Sequence, residues 1–277
     1  MDVHDATLRE GTQPFVAFIP GLLETADIWQ GTVRRLNLPT RRTLFFDLPG
    51  HTPGSTALCT RHALETGQWL TTMADDLRNR TGGEKAILVG HSTGGMVALA
   101  LAHRYPDLVH SVVAVGALTC GRRGRVIDPL AKLLSAKVLG PTAFRTALRF
   151  WLSTATRFQM GFRWASSIAP KVGVSNRVRK QLQACDPMAL RACAEWVIRT
   201  DIGPVLPEIE TPVLALIGTE DPVIPPRHQL ALIKTAPNAH AQLLRGGHLL
   251  FNEAPERLEV ALSSWLGLAT TELERQN

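Results

Sequence analysis

Residues 90–94, Gly-His-Ser-Thr-Gly, bracket a serine between glycines. The apolar run "AILV" (86–89) precedes them and "GMVALALAHRY" (95–105) follows, so the stretch reads as a sharp strand-to-helix turn. So tight a turn strains its central residue and leaves no room for side chains at 90 and 94, which is why glycine stands there. Ser92 then projects its hydroxyl from the carboxyl end of a strand, with the positive end of a helix behind it. A serine hydroxyl attacks well only when a base takes its proton and an acid orients that base. The loop "GTEDPVIPP" (218–226) follows the apolar run "PVLALI" (212–217) and offers Glu220 and Asp221, of which only one can point inward. "RGGHLL" (245–250) follows "AQLL" (241–244) and offers His248, and Asp47 in "FFDLPG" (45–50) is a third acid. Parallel strands would bring all these loops to one edge of a sheet.

The elements needed to position them are legible. "FVAFI" (15–19), "TLFF" (43–46), "AILV", "SVVAV" (111–115), "PVLALI" and "AQLL" read as buried strands. Helical patterns at 25–36, 62–79, 94–104, 227–235 and 255–266 alternate with them. Uniformly apolar strands alternating with helices predict an α/β fold, a mainly parallel sheet covered on both faces. The alternation breaks across 119–200, which reads as several helices. We expect a core of residues 1–118 and 201–277 carrying a helical insertion of residues 119–200.

The composition of the 277 residues, 45% hydrophobic and 19% charged, is that of a soluble globular protein. Neither a membrane span nor a secretory signal is read, and Cys59, Cys120, Cys185 and Cys193 show no metal-ligand spacing, so buried thiols in the cytoplasm are expected. The net charge of +6 comes with no nucleic-acid motif. No GxGxxG, Walker loop or ligand cluster suggests a cofactor or metal. His51 reads as a turn residue and His91 as the variable position of its turn. His103, His110, His228 and His240 fall on helices or strand flanks.

Five segments together resemble the α/β-hydrolase superfamily, specifically its small cap-bearing serine carboxylesterases of the pimeloyl-carrier methyl ester esterase type. They are "PGLLETADIW" (20–29), "FFDLPGHTPGS" (45–55), "VGHSTGGMVAL" (89–99), "GTEDPVIPP" and "GGHLLFNEAPERL" (246–258), in the family's order. The resemblance implies the α/β-hydrolase fold and a Ser92–Asp221–His248 triad. It also implies oxyanion donors at the Leu22 and Thr93 backbone N–H groups, and cleavage of carboxylic esters through an acyl-enzyme. Asp47 precedes Ser92 and so falls outside the family's order of serine, acid, histidine. One departure is Pro20-Gly21 where many members have His-Gly. Thioesterase, lactonase and carbon–carbon hydrolase chemistry could use the same residues. Relatives with epoxide hydrolase or dehalogenase activity carry aspartate where Ser92 stands. A ligand-binding protein with a quiescent triad is the reading from another class.

The charge is concentrated in the insertion. Residues 121–180 hold thirteen basic residues against Asp128 alone, a local +12, while the rest of the chain carries −6. On one helix through 142–164, Phe144, Leu148, Trp151, Ala155, Phe158 and Phe162 would share a face that roofs the site and binds substrate. Arg145, Arg149, Arg157 and Arg163 would lie opposite, unless Gly161 ends the helix before Arg163. So large an excess of one sign points to an acidic partner, whether an anionic substrate, a coenzyme A or acyl-carrier thioester, or an anionic membrane surface; of these, an acidic acyl-carrier protein docked on these arginines is the expectation.

Overall fold

A computed structural model of the chain describes residues 13–121, 139–163, 165–167 and 173–268. Six parallel strands form one sheet: β1 (Phe15–Ile19), β2 (Thr43–Phe45), β3 (Ala86–His91), β4 (Val109–Val115), β5 (Val213–Gly218) and β6 (Ala239–Leu244), in spatial order β2-β1-β3-β4-β5-β6. The helices are α1 (Gln30–Arg35), α2 (Arg61–Glu65), α3 (Gln68–Thr81), α4 (Thr93–Arg104), α5 (Leu139–Leu152), α6 (Ala155–Arg163), α7 (Asn176–Ala184), α8 (Pro187–Arg199), α9 (Pro226–Thr235), α10 (Leu250–Glu253) and α11 (Pro255–Trp265). This is the expected α/β-hydrolase architecture, a parallel sheet flanked by helices.

β1, β3 and β5 are buried on every residue because the sheet is covered on both sides there, whereas the edge strand β6 is exposed over most of its length. Successive side chains point to opposite faces. Ala17, Ile19, Leu88, Ala114 and Ala215 thus join the core under α3 and α4, with Trp69, Leu77, Met96 and Leu101. Val16, Phe18, Val89, Val113 and Leu216 join the other core, with Trp29, Leu258 and Leu262. The chain passes from β1 to its neighbour β2 on one side and then crosses back over β1 to β3 on the other, after which the strands follow in order. The crevice opened by such a reversal, at the carboxyl ends of the strands, is where open α/β sheets hold their sites.

The chain leaves and re-enters the sheet region side by side: Cys120 and Asp201 form an antiparallel bridge, and Ile202 N donates to Thr119 O at 2.9 Å. Between them stand α5 to α8. The single helix expected over 142–164 is two. α5 ends at Leu152, and α6 begins at Ala155 after a Ser153-Thr154 turn. Ser153 Oγ donates to Phe150 O at 2.7 Å, and Thr154 Oγ1 accepts from Arg157 N at 3.2 Å, capping α6. The helix does not stop at Gly161 but runs to Arg163. Trp164, Asp128 and the cations Arg122, Arg123, Arg125, Lys132, Lys137 and Lys171 lie outside the described residues.

All four cysteines are buried and none forms a disulfide. Among the described residues no helix is long and apolar enough to cross a membrane, and no cluster of side chains could hold a metal ion.

Candidate active site

Ser92 follows β3 and opens α4 with φ 51° and ψ −115°, a conformation that costs an L-residue of order 1–3 kcal/mol. The turn is anchored from three sides. Ser92 N donates to Val115 O at 2.9 Å, and Ser92 O accepts from Gly95 N at 3.0 Å and Leu118 N at 3.2 Å. A Cβ on Gly90 would fall on the backbone of Gly94 and Gly95, and one on Gly94 would fall on the Ile19 and Pro20 carbonyls. The β1 loop therefore lies directly against the Ser92 turn.

Asp221 and His248 come from the loops after β5 and β6. His248 Nδ1 lies 2.8 Å from Asp221 Oδ2, and both side chains are buried. Oδ1 of Asp221 accepts from Val223 N and Ile224 N, each at 2.8 Å, and Oδ2 also accepts from Gln229 Nε2 at 3.0 Å. Four donors fix this carboxylate, and Nδ1 of His248 is committed to it, which leaves Nε2 for chemistry. Glu220 instead faces Arg245 at 3.8 Å with its side chain half exposed. Asp47 accepts from Ala26 N at 2.7 Å and caps the turn after the β1 loop. Burial pushes its carboxyl above the ordinary value, against the lowering effect of that bond.

Of the two expected oxyanion donors, Thr93 directly follows the serine, and Leu22 lies in the β1 loop, whose Ile19 and Pro20 carbonyls pack on Gly94. Thr93 is the first residue of α4, so its N–H has no acceptor within the helix. Around Leu22, Gly21 N donates to Glu24 Oε2 at 2.7 Å and Leu23 N to His51 Nε2 at 2.9 Å, with Leu23 at φ 58°. The Leu22 N–H sits between two anchored neighbours, so Pro20-Gly21 does not leave this loop unsupported.

Three groups here have contacts beyond what the sequence assigns: His51 and His91 read there only as turn positions, and Glu24 and Glu253 are given no role. His91 is fully buried; its Nδ1 lies 2.8 Å from Glu24 Oε2, and its Nε2 lies 3.0 Å from His248 O. Burial alone would push the Glu24 carboxyl up and the His91 ring down. Their mutual charge and hydrogen bond prevail, leaving Glu24 below and His91 above the ordinary value. His51, also fully buried, accepts at Nε2 from Leu23 N and lies 3.1 Å from Pro49 O at Nδ1. Burial pushes it down to about 4, so it is neutral. Glu253 accepts from Gly247 N at 2.9 Å, Leu249 N at 3.2 Å and Ser167 N at 3.1 Å, bracketing His248. The one signal in the sequence was Glu24 itself, an acid directly after the apolar "PGLL", because an acid buried in apolar surroundings needs a partner.

The aromatic residues of α5 and α6 are brought together. The Trp151 ring lies 5.2 Å from Phe158 and 5.7 Å from Phe162, and its Nε1 donates to Phe158 O at 3.2 Å. Phe144 and Phe158 are buried in the same core as Leu249 and Phe251 beside His248, and Trp151 keeps partial exposure. His248 N donates to Ala165 O at 3.1 Å, so the segment after α6 rests on the histidine loop. Arg145, Arg149, Arg157 and Arg163 are all exposed, and Arg157 stacks 4.1 Å over Phe150. A cleft of about 330 Å³ opens among Leu148, Arg149, Leu152, Leu182 and Gln183, and none of Ser92, Asp221 and His248 lines it.

Residues 14–255 match the alpha/beta hydrolase fold family. The chain belongs to this family. It is 31% identical over 235 residues to a 2-hydroxy-6-oxononadienedioate/2-hydroxy-6-oxononatrienedioate hydrolase of Paraburkholderia phymatum, covering 82% of this chain and 76% of that one. It is 30% identical over 145 residues to the pimeloyl-[acyl-carrier protein] methyl ester esterase of Neisseria meningitidis serogroup A, covering 51% of this chain and 44% of that one. The enol-lactonase of Burkholderia xenovorans LB400 superposes with a TM-score of 0.67 at 19% identity, covering 94% of this chain and 93% of that one. The fold and membership in a hydrolase family are thereby shown.

Proposed function

We propose that this protein is a serine hydrolase of carboxylic esters with a hydrophobic acyl part, in which Ser92 is the nucleophile, His248 the base and Asp221 its orienting partner. The observation that carries this reading is the buried Asp221–His248 pair, 2.8 Å apart, on the same sheet edge as a serine held at positive φ. His248 Nε2 takes the Ser92 proton as Oγ attacks the ester carbonyl, and the Leu22 and Thr93 N–H groups hold the oxyanion. Collapse breaks the ester C–O bond; the alcohol leaves with the proton from His248, and the acyl group stays on Ser92. A water deprotonated by His248 then attacks, the acid departs, and Ser92 regains its proton. The scheme needs no metal or cofactor.

Residues 119–200 are the cap in this reading, supported by the side-by-side exit and return at Thr119 and Ile202. Trp151 keeps partial exposure with which to meet an acyl chain and is held by Phe158, while Phe144 is buried in the core. The arginines Arg145, Arg149, Arg157 and Arg163 dock an acidic acyl carrier, a reading supported by their exposure and by the esterase relative. Buried thiols without a disulfide fit a reducing, cytoplasmic setting. The 31% identical relative, by name a hydrolase of 2-hydroxy-6-oxononadienedioate and its triene analogue, supports carbon–carbon hydrolysis as the alternative.

A fluorophosphonate probe tests the core of the proposal. Wild type should label covalently, and Ser92→Ala and His248→Ala should not. Ser92→Ala should lose about 10⁴-fold or more in kcat on p-nitrophenyl butyrate. Folded wild type that takes no label would favour a binding protein. Turnover confined to dienedioate substrates, with simple esters untouched, would favour carbon–carbon cleavage.

A further inference from the structure

We propose that Glu24 and His91 form a buried charged strap that holds the Leu22 loop and the His248 loop in register on either side of Ser92, making both of them positioning residues. The inference rests on the reading of Ser92 as nucleophile and Leu22 as oxyanion donor. It adds two residues to that site which touch no reacting atom.

The geometry starts at the His91 ring. Its two nitrogens face two acceptors, a carboxylate oxygen at 2.8 Å and a backbone carbonyl at 3.0 Å. A neutral imidazole carries only one N–H, whereas the cation carries two and satisfies both. Glu24 supplies the counter-charge, and its Oε2 also takes the Gly21 N–H at 2.7 Å. The side chains of the pair are 0% and 4% exposed, so water does not screen them. A charge-assisted bond in such surroundings is short and strongly directional. The titratable groups facing the pair are His248, whose ring centroid lies 4.7 Å from that of His91, Asp221 behind it, and the neutral His51 on the Glu24 side. Phe251 closes the remaining side with its ring centroid 5.0 Å away, edge to face.

The strap has a consequence for the chemistry. Its carboxylate end is bonded to Gly21, the residue before Leu22. Its imidazole end is bonded to the carbonyl of His248. His91 itself precedes Ser92. One rigid unit therefore spans the donor that receives the developing oxyanion, the nucleophile and the base. An oxyanion donor contributes only when it is pre-aimed at the position the oxygen will take, and small misplacement is costly. Losing the charge on either partner leaves the other buried and uncompensated, and the two loops are no longer tied together.

The test compares Glu24→Gln, His91→Gln and the double variant with wild type. In ¹⁵N-histidine-labelled wild type, the His91 ring should show two N–H groups throughout pH 6–8, and Glu24→Gln should reduce these to one. On p-nitrophenyl butyrate, Glu24→Gln should lose about 10²-fold in kcat with KM within threefold. Affinity for a trifluoromethyl ketone, whose tetrahedral adduct uses the oxyanion donors, should fall in parallel. The double variant carries a neutral amide pair and should recover about tenfold over Glu24→Gln. A purely structural role would lower Tm while leaving kcat and ketone affinity of the folded protein at wild-type values, and that would overturn the proposal. A single ring N–H on wild-type His91 would overturn it independently of any variant's folding. Two ring N–H groups in a protein that takes no fluorophosphonate would separate the two claims: the charged pair stands, and the ester reading falls together with the positioning role.

Discussion

Two histidines beside the serine illustrate opposite responses to burial. His91 has a carboxylate partner and gains charge, whereas His51 has an N–H to accept and loses it. Their sequence contexts, "VGHST" and "PGHTPG", are equally unremarkable, so the difference was not legible; it arises from Glu24 and Leu23, which fold brings from 67 and 28 residues away. Ser92, Asp221 and His248 were legible because strand-end loops announce themselves through flanking glycines and apolar runs. A histidine buried neutral makes stability depend on acid. With His51 at about 4 in the folded chain against an ordinary 6.5, the unfolded chain binds the proton first as pH falls. The contribution is fully present above pH 6.5 and is lost progressively down to about pH 4, roughly 3 kcal/mol in all. His51→Gln, which can still accept from Leu23 N, should flatten the difference in urea midpoint between pH 7 and pH 4 relative to wild type. Parallel midpoint profiles for the two proteins would mean that His51 is not held neutral.

At the scale of elements, all six strands stand within two residues of where their apolar runs begin and end; the central ones are covered on both faces and apolar on nearly every residue, and the exposed edge strand β6 still ends in the apolar pair Leu243–Leu244. The α5–α6 pair is the exception. The apolar spacing runs unbroken through Ser153 and Thr154, so periodicity alone joins two helices into one. The break was written in the side chains that compete for the backbone, Ser153 at the end of α5 and Thr154 as the cap of α6. Folding the pair back on itself puts Trp151 over Gly161. A Cβ there would lie 2.8 Å from Cδ1 of the indole and closer still to Nε1. Two effects of Gly161→Ala then compete. Helix propensity favours alanine by about 1 kcal/mol. Overpacking against a ring that is fixed by its bond to Phe158 O costs typically 1–3 kcal/mol. The clash should win, lowering Tm by a few degrees. Replacing the indole as well, in Gly161→Ala with Trp151→Leu, relieves the collision. This double variant should melt above Trp151→Leu alone, since only the propensity gain remains between those two. The same sign of change in both backgrounds would show that Trp151 is not the obstacle.

For the molecule as a whole, the sequence excess of +12 in residues 121–180 overstates what the surface presents. Arg177 pairs with Asp27 at 2.7 Å and ties α7 to the β1 loop region, and Arg179 donates to Leu152 O at 2.7 Å. Arg145, Arg149 and Arg163 have no ion pair among the described residues, and no acid occurs between positions 129 and 185. Arg149 also stands at the wall of the cleft with Leu148 and Leu152, where an apolar arm could lie beside a bound anion. If these arginines dock an acidic acyl carrier, long-range attraction should govern encounter more than residence. KM for a carrier-bound methyl ester should then rise with salt as the Debye length shortens from roughly 10 Å at 0.1 M to 3 Å at 1 M. Arg145→Glu with Arg149→Glu should raise that KM about tenfold or more at low salt and abolish most of its salt dependence. Hydrolysis of p-nitrophenyl butyrate should stay within twofold, because Asp221, His248 and Ser92 lie in loops these arginines do not touch. Equal losses on both substrates would mean that reversing the charges has unfolded α5. An unchanged KM for the carrier-bound ester would leave Arg145 and Arg149 as solvated surface and remove the carrier from the proposed function.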